Sequence, residues 1–412
     1  MAPIRIVVAG CNYAGINALK TLYSTLLAKQ PDNVNGITTQ SPDVQITAID
    51  RRDGFVHYIG ITRGITEPEF GEQLWVPFAK VGWMQHPNIT FKQGTVTKIT
   101  STQIELHDSN QPIEFDYLIV ALGVGRHAPI GVGVPTKSRF VDQLNWANKE
   151  IQAADSVAVI GGGAVGIEMA ADIKCDYPEK QVTLIHSRKL PLPGPFKEEF
   201  RQSVVDILRH SIGVDVVLGE RVISQVPASD DMETTFACDP EFVNSLATKA
   251  KMTLSSGRNI SADCVIRCLG TLAKFKTLIR LSDSNIFDAS GIRVKGTMQI
   301  DSSAYPNIYA CGDICSRDEV KLAGVAMYGG YIAARNIARS VLYGDMAVLE
   351  KGESFPSKIM LLMGKDHFAL QIGDKIWDTE SARPYATPDM GLENCIKALS
   401  LDSTPEYELL AN

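Results

Sequence analysis

Apolar residues in this chain fall into short β-branched runs, each followed by a glycine-rich turn and then by residues at helical spacing. The first run, Ile4–Ala9, has no clear alternation, which predicts a strand covered on both faces. Residues 10–15 predict a turn and residues 16–28 a helix. A polar, turn-rich stretch over 30–43 reads as a surface insertion, and a second strand over 44–49 ends at Asp50. Residues 89–106 alternate weakly and predict short antiparallel strands. Residues 116–122 form another buried run, closed by Gly123-Val124-Gly125. Pro129 and Pro135, with glycines between them, mark a linker. The pattern then restarts: strand Ser156–Ile160, turn 161–166, helix 167–176, strand Gln181–His186. Residues 262–269 repeat the role of 116–122, with Gly270 in the place of Gly123.

After about residue 290 the chain is expected to return to its first unit. A strand over 307–311 ends in Gly312-Asp313, and a long helix runs from about 321 to 342. The strand-like runs KIMLLM and FALQIG suggest a small unit after it. The fold class is therefore α/β: two Rossmann-like dinucleotide-binding domains, one inserted in the other, plus a small C-terminal α+β domain. The expected bounds are 1–125 with 296–345, then 126–295, then 346–412.

A length of 412 residues calls for more than one core. The net charge of −7 argues against a general nucleic-acid binder. No apolar run reaches 18 residues, so no transmembrane helix is expected. The start of the chain lacks a secretory h-region, and Ala2 stands where N-myristoylation needs glycine. A cytoplasmic protein is expected, with peripheral membrane contact left open. The cysteines (Cys11, Cys175, Cys238, Cys264, Cys268, Cys311, Cys315 and Cys395) form no C-x-x-C pair, so buried or incidental thiols are expected and no metal site.

Two fingerprints carry the chemistry. Gly161-Gly162-Gly163-Ala164-Val165-Gly166 fits G-x-G-x-x-G between a strand and a helix, the context that motif requires. Gly161 permits the turn, Gly163 lets a pyrophosphate approach, and Gly166 lets helix and strand pack. Ala164 and Val165 lie in the turn that leads into the helix, whose N-terminus offers N–H groups and partial positive charge to phosphates. In Gly10-Cys11-Asn12-Tyr13-Ala14-Gly15, Asn12 replaces the second glycine. Asparagine tolerates positive φ, so the turn is expected to survive. Asp50, with Arg51 after it, stands where a carboxylate meets an adenosine ribose; it lies farther from Gly10 than the usual ~20 residues, and the polar insertion explains the excess.

A late Gly312-Asp313 supports FAD at the first fingerprint. Ala121 and Gly123 close its third strand, and a helix N-terminus at Lys321, Leu322 and Ala323 suits the flavin edge. NAD(P)H falls to the second fingerprint. Its next strand ends His186-Ser187-Arg188; no acid is present to favour NADH, and Arg188 suits a 2′-phosphate, so NADPH is favoured with NADH also open.

At these residues the chain resembles a known family. Residues 161–188, GGGAVGIEMAADIKCDYPEKQVTLIHSR, are similar to the NAD(P)-binding segment of the ferroptosis suppressor, or apoptosis-inducing-factor-like mitochondrion-associated, family. The likeness extends to GCNYAG, DGFVHYIG, ALG at 121–123, IYACGD and KIMLLMGK. Type II NADH:quinone oxidoreductases look like more distant relatives. The resemblance implies noncovalent FAD, NAD(P)H as donor, and a quinone-like or other lipophilic acceptor. It further implies that Arg63 and Val96 join Gly10, Gly15, Asp50 and Asp313 at FAD, and that Glu168 joins Gly161, Gly163 and Gly166 at the nucleotide. The myristoyl signal of the animal proteins and the glutamine-containing quinone pattern of the type II enzymes are both missing.

The expected reaction is hydride transfer from NAD(P)H to FAD, then passage of two electrons to a small organic acceptor. No acid–base residue is needed for the hydride step, so His57, His186 and His367 are given no catalytic role. A disulfide reductase lacks its cysteine pair here, and a monooxygenase fits two dinucleotide sites less well. Two alternatives stand: a flavoenzyme acting on a biosynthetic intermediate, and a redox-responsive interaction protein with little turnover.

Overall fold

The computed structural model describes residues 2–28, 42–107, 109–126, 129–131, 133–227, 246–271, 279–281, 284–406, 408 and 410. Cys238 and nearly all of the polar stretch 30–43 lie outside them. The first half runs β1 (Ile4–Ala9), α1 (Tyr13–Leu22), β2 (Val44–Asp50), a short α2 (Ile61–Thr66), β3 (Ile89–Gln93) and β4 (Tyr117–Val120). Next come α3 (Lys137–Ala153), β5 (Ser156–Ile160), α4 (Ala164–Asp176), β6 (Gln181–His186), β7 (Asp215–Leu218), β8 (Val222–Pro227), β9 (Leu246–Leu254) and β10 (Asn259–Arg267). The chain ends through β11 (Ile308–Ala310), α5 (Ala323–Tyr343), β12 (Lys358–Met363), β13 (His367–Ile372) and β14 (Lys375–Trp377), with short helices beyond.

These strands build two main sheets. The first, in order β11-β4-β1-β2-β3, is parallel throughout and draws on both ends of the chain. The second, in order β7-β6-β5-β10-β9-β8, is parallel up to β10 and antiparallel beyond it. In each, the strand before a fingerprint turn lies inside the sheet. That burial is why Ile6–Ala9 and Val157–Ile160 are unbroken apolar runs. A third sheet, β12-β13-β14, is antiparallel, and β12 packs on α4.

One expectation is corrected. Within 89–106, only 96–99 and 103–106 pair as an antiparallel hairpin. Residues Ile89–Gln93 instead lie parallel to β2, as the edge of the first sheet. An edge strand with one wet face alternates just as a hairpin strand does, so periodicity cannot name its partner. Helix α3 has no counterpart in the sequence reading. Its Phe140, Leu144, Ala147 and Ile151 are buried at helical spacing, and the Thr136 side chain accepts the Arg139 N–H as its N-cap.

Helices α1 and α5 cross where the first sheet's two chain segments meet. A Cβ on Gly330 would lie 2.0 Å from the Ala14 carbonyl oxygen, so only glycine allows this approach. No helix of the described residues is long and apolar enough to cross a membrane.

Candidate functional site

Each fingerprint turn is forced by backbone sterics. Gly10 (φ +96°) and its counterpart Gly161 (φ +118°) sit in the left-handed region. A Cβ there would meet the Ala121 oxygen at 2.3 Å or the Cys268 oxygen at 2.6 Å. At Gly15 and Gly166 a Cβ would come within 1.6 Å and 1.8 Å of the oxygens of Gly10 and Gly161, so helix and turn touch directly.

Position 12 is not as expected. Asn12 has φ −97°, an ordinary extended backbone, and needs no tolerance of positive φ. Its equivalent Gly163 has φ −79°, and a Cβ there meets nothing within 4 Å. The second glycine of the motif therefore leaves space rather than making a turn. In the first turn the Asn12 Oδ1 is buried without a hydrogen-bond partner and does not cap α1. Tyr13 and Ala14 open α1, and no acid lies in that helix's first turn. Unsatisfied helix N–H groups suit a pyrophosphate.

Asp50 accepts the Cys11 N–H at 2.7 Å. Arg52, not Arg51, closes over it: its N–H, Nε and Nη2 donate at 3.0, 3.1 and 3.3 Å. Burial alone would raise the Asp50 carboxyl, but Arg52 and these N–H donors hold it below the usual carboxylate range. Four donors fill both oxygens, so a ribose reaches this carboxylate only by displacing part of the Arg52 fork. Arg51 is exposed, and its carbonyl accepts from Gln93. Val96 is buried close by, where Gly94 N–H bonds the Asp50 carbonyl.

On the far side, Ala121 N–H bonds the Ala9 carbonyl, and Gly123 (φ +67°) faces open space. Gly312 (φ +78°) packs on Ala14, and Asp313 accepts from Arg126 at 2.9 Å. Lys321 Nζ bonds the Asp313 carbonyl at 2.7 Å. Leu322 precedes α5 without a side-chain cap, so the N–H groups of Ala323, Gly324 and Val325 have no helical partner, while Ala326 N–H already bonds the Leu322 carbonyl.

Two residues are placed otherwise than expected. Arg63 is buried away from the first fingerprint: it donates to the carbonyls of Gly364 (2.6 Å) and Pro388 (3.2 Å) and lies 3.7 Å from Asp172. Glu168 is the fifth residue of α4, not in its first turn, and its Oε1 accepts the Leu362 N–H of β12. Burial pushes the Glu168 carboxyl up to about 8 and that of Asp172 to about 6, with Arg63 opposing both rises. Together they join α2, α4 and the C-terminal sheet. Asp172, one turn after Glu168 on the same buried face, was legible as an acid at an apolar position.

At the second fingerprint, Gly162 N–H donates to His186 Nδ1 at 3.0 Å, and a Cβ on Gly162 would strike that ring at 2.7 Å. Gly270 pairs with Arg126 in a short antiparallel ladder. A cleft of about 550 Å³ begins at Gly163, Ala164, Val165 and Arg188, passes Leu192, Phe196 and Leu269, and ends at Val320, Lys321 and Leu322. It thus runs from the N-terminus of α4 to that of α5. The seven described cysteines are free thiols. Burial pushes Cys264, Cys268, Cys315 and Cys395 up to about 12 and Cys175 to about 11, and raises Cys11 and Cys311 well above the usual thiol value. None is poised as a thiolate.

Residues 4–330 match the family described as pyridine nucleotide-disulphide oxidoreductase. The chain belongs to this family. It is similar to Oxidoreductase OXR1 of Ajellomyces capsulatus, 28% identical over 98% of this chain and 89% of that protein. Ferroptosis suppressor protein 1 of Xenopus laevis is 28% identical over 82% of this chain and 81% of its own length. Among solved structures, an NAD-dependent persulfide reductase from A. fulgidus shares the fold, with a TM-score of 0.64, 19% identity and 92% of this chain covered; this chain spans 65% of that longer one. As a family member the chain is an NAD(P)H-dependent flavoprotein oxidoreductase, with FAD and NAD(P)H as its cofactors. The disulphide in the family's description has no counterpart among the described cysteines.

Proposed function

We propose that this oxidoreductase passes two electrons from NAD(P)H, by way of FAD, to a quinone-like or other small lipophilic acceptor. The observation that carries this reading is the cleft joining the N-termini of α4 and α5. In this assignment the turn Gly161–Gly166, with His186 and Arg188, holds the nucleotide. Gly10–Gly15, Asn12, Val96 and Asp313 hold FAD. When bound, NAD(P)H would supply the hydride and FAD the two-electron relay to the acceptor. What the chain adds is position and field: the open N–H groups of α5 present partial positive charge, which favours a reduced, anionic flavin.

The acceptor's class rests on two supports. Raised thiol pKa values leave no cysteine among the described residues suited to disulfide exchange. Beside residues 319–322, Leu322, Val325, Tyr328 and Phe355 form an apolar surface against which a lipophilic acceptor would lie.

The test is anaerobic. Yellow holoprotein mixed with NADPH or NADH should lose its flavin absorbance, and a short-chain quinone should restore it faster than an aromatic disulfide does. Failure to bleach with either nucleotide would sink the reductase reading. Faster recovery with the disulfide would overturn the acceptor class.

A further inference from the structure

No step of the hydride reaction uses His57, yet it is 1% exposed and both of its ring nitrogens are engaged. Nε2 lies 3.0 Å from the Met390 carbonyl, and Nδ1 lies 3.3 Å from the Tyr13 hydroxyl. A carbonyl only accepts, so Nε2 carries a proton. Burial lowers the His57 pKa, against the Met390 carbonyl and Asp389, and the ring is neutral with Nδ1 as its acceptor. The Tyr13 O–H therefore donates to Nδ1, and the same oxygen accepts the Ile59 N–H at 3.2 Å. The Tyr13 ring stands edge-on to Phe55, with centroids 5.2 Å apart and planes at 90°.

The two partners of His57 come from opposite ends of the chain. Tyr13 is the first residue of α1 and belongs to the first fingerprint turn. Met390 follows the C-terminal sheet and is strained: it is a buried non-glycine residue at φ +55°, followed by Gly391 at φ +78°. Such backbone persists only where its surroundings over-determine it. Here Met390 N–H bonds the Thr387 carbonyl at 3.1 Å, and Gly391 N–H bonds Thr387 Oγ1 at 2.7 Å. The neighbouring Pro388 carbonyl accepts from Arg63. The strained turn presents its carbonyl to His57 across 333 residues of sequence.

We propose that His57 is a positioning residue for FAD, which takes the Tyr13 proton, fixes that ring beside the first fingerprint turn, and is itself held by the Met390 turn. This rests on the FAD reading of Gly10–Gly15. Phosphate oxygens only accept, so a tyrosine hydroxyl beside them with a free proton would turn toward them. With its proton committed to His57 and its oxygen to Ile59, Tyr13 keeps one orientation and leaves the turn its shape. A side chain ordered in advance adds no ordering cost when the cofactor binds. The C-terminal unit thereby acts on FAD affinity through His57.

The test is the FAD dissociation constant, read as free-flavin fluorescence when the holoprotein is diluted to equilibrium. Two substitutions divide the work of the ring. His57→Asn sets an amide oxygen near the Nδ1 position and keeps the acceptor for Tyr13. His57→Gln sets its amide near the Nε2 position and keeps the donor for Met390. His57→Asn should stay within about threefold of the natural affinity, and His57→Gln should weaken it about tenfold, the size of one ordinary hydrogen bond. Tyr13→Phe should weaken FAD about tenfold as well, and adding His57→Gln to it should change little more, because the two residues act as one unit. Retained affinity in His57→Gln with loss in His57→Asn would make His57 a brace for Met390 alone and overturn the inference. Additive losses in the double variant would overturn it too, as would unchanged affinity in Tyr13→Phe, the mildest of these changes. If the natural holoprotein carries no flavin, the FAD reading of the first turn falls and the inference falls with it.

Discussion

Glu168→Gln isolates the buried carboxyl pair that ties α4 to the C-terminal sheet. The Glu168 carboxyl is raised from 4.5 to about 8, with burial the largest cause. The folded state thus holds a proton that the unfolded chain releases near pH 4.5, and stability falls as pH rises from there to about 8. Asp172, raised to about 6, acts in the same sense, but its effect is complete by about pH 6. The interval from pH 6 to 8 therefore belongs to Glu168 within this pair. At roughly 1.4 kcal/mol per pH unit, and allowing for half-titration at the upper end, Glu168 should remove about 2 kcal/mol across it. Glutamine keeps an oxygen for the Leu362 N–H and does not ionise. Urea denaturation of the holoprotein at fixed excess FAD, at pH 6 and pH 8, gives the comparison. The natural protein should lose about 2 kcal/mol more than the variant between the two pH values. Other buried groups, including His57 and His186, titrate alike in both proteins and cancel in the difference. Parallel loss in both would mean that Glu168 is already ionised when folded, and the reasoning would fail.

Two further substitutions probe the same architecture. Arg63→Ala leaves Asp172 buried without its cation and should destabilise by about 3–5 kcal/mol with the flavin-to-protein absorbance ratio unchanged; a protein that keeps its stability but sheds its flavin would instead assign Arg63 to the cofactor. Gly330→Ala places a methyl 2.0 Å from the Ala14 oxygen and should force α1 and α5 apart, at a cost of about 1–3 kcal/mol and with weaker flavin retention; an unchanged melting temperature would show that the crossing can relax.

The parts of the site that were legible in the sequence are those the backbone dictates. Gly10, Gly15, Gly161 and Gly166 are readable because no other residue fits their conformation or their contacts. Strands β1 and β5 are readable because burial on both faces leaves an unbroken apolar run. Residues whose roles depend on distant chain were not legible. Arg63 and Glu168 were expected at cofactors, yet their partners at 362, 364 and 388 lie far along the sequence, and no spacing rule links them. Arg52 was missed because it and Arg51 look alike at a strand end; only the fold shows which one turns back on Asp50. Gly162 carries an N–H bonded by His186, a pairing that follows from strand β6 lying beside β5. Helix α3 was missed although its apolar spacing was present, because the preceding prolines suggested a linker.

The first sheet takes β11 from beyond residue 300, and α1 meets α5 across more than 300 residues. The second sheet is contiguous from β5 to β10. During synthesis the second sheet has all its strands while the first still lacks one, because long-range closure must wait for the later segment to emerge. A nascent chain stopped before α5 would hold the Gly10 turn without the helix that packs on it. Flavin capture is thereby placed late in the protein's life history, after the nucleotide fold is already standing.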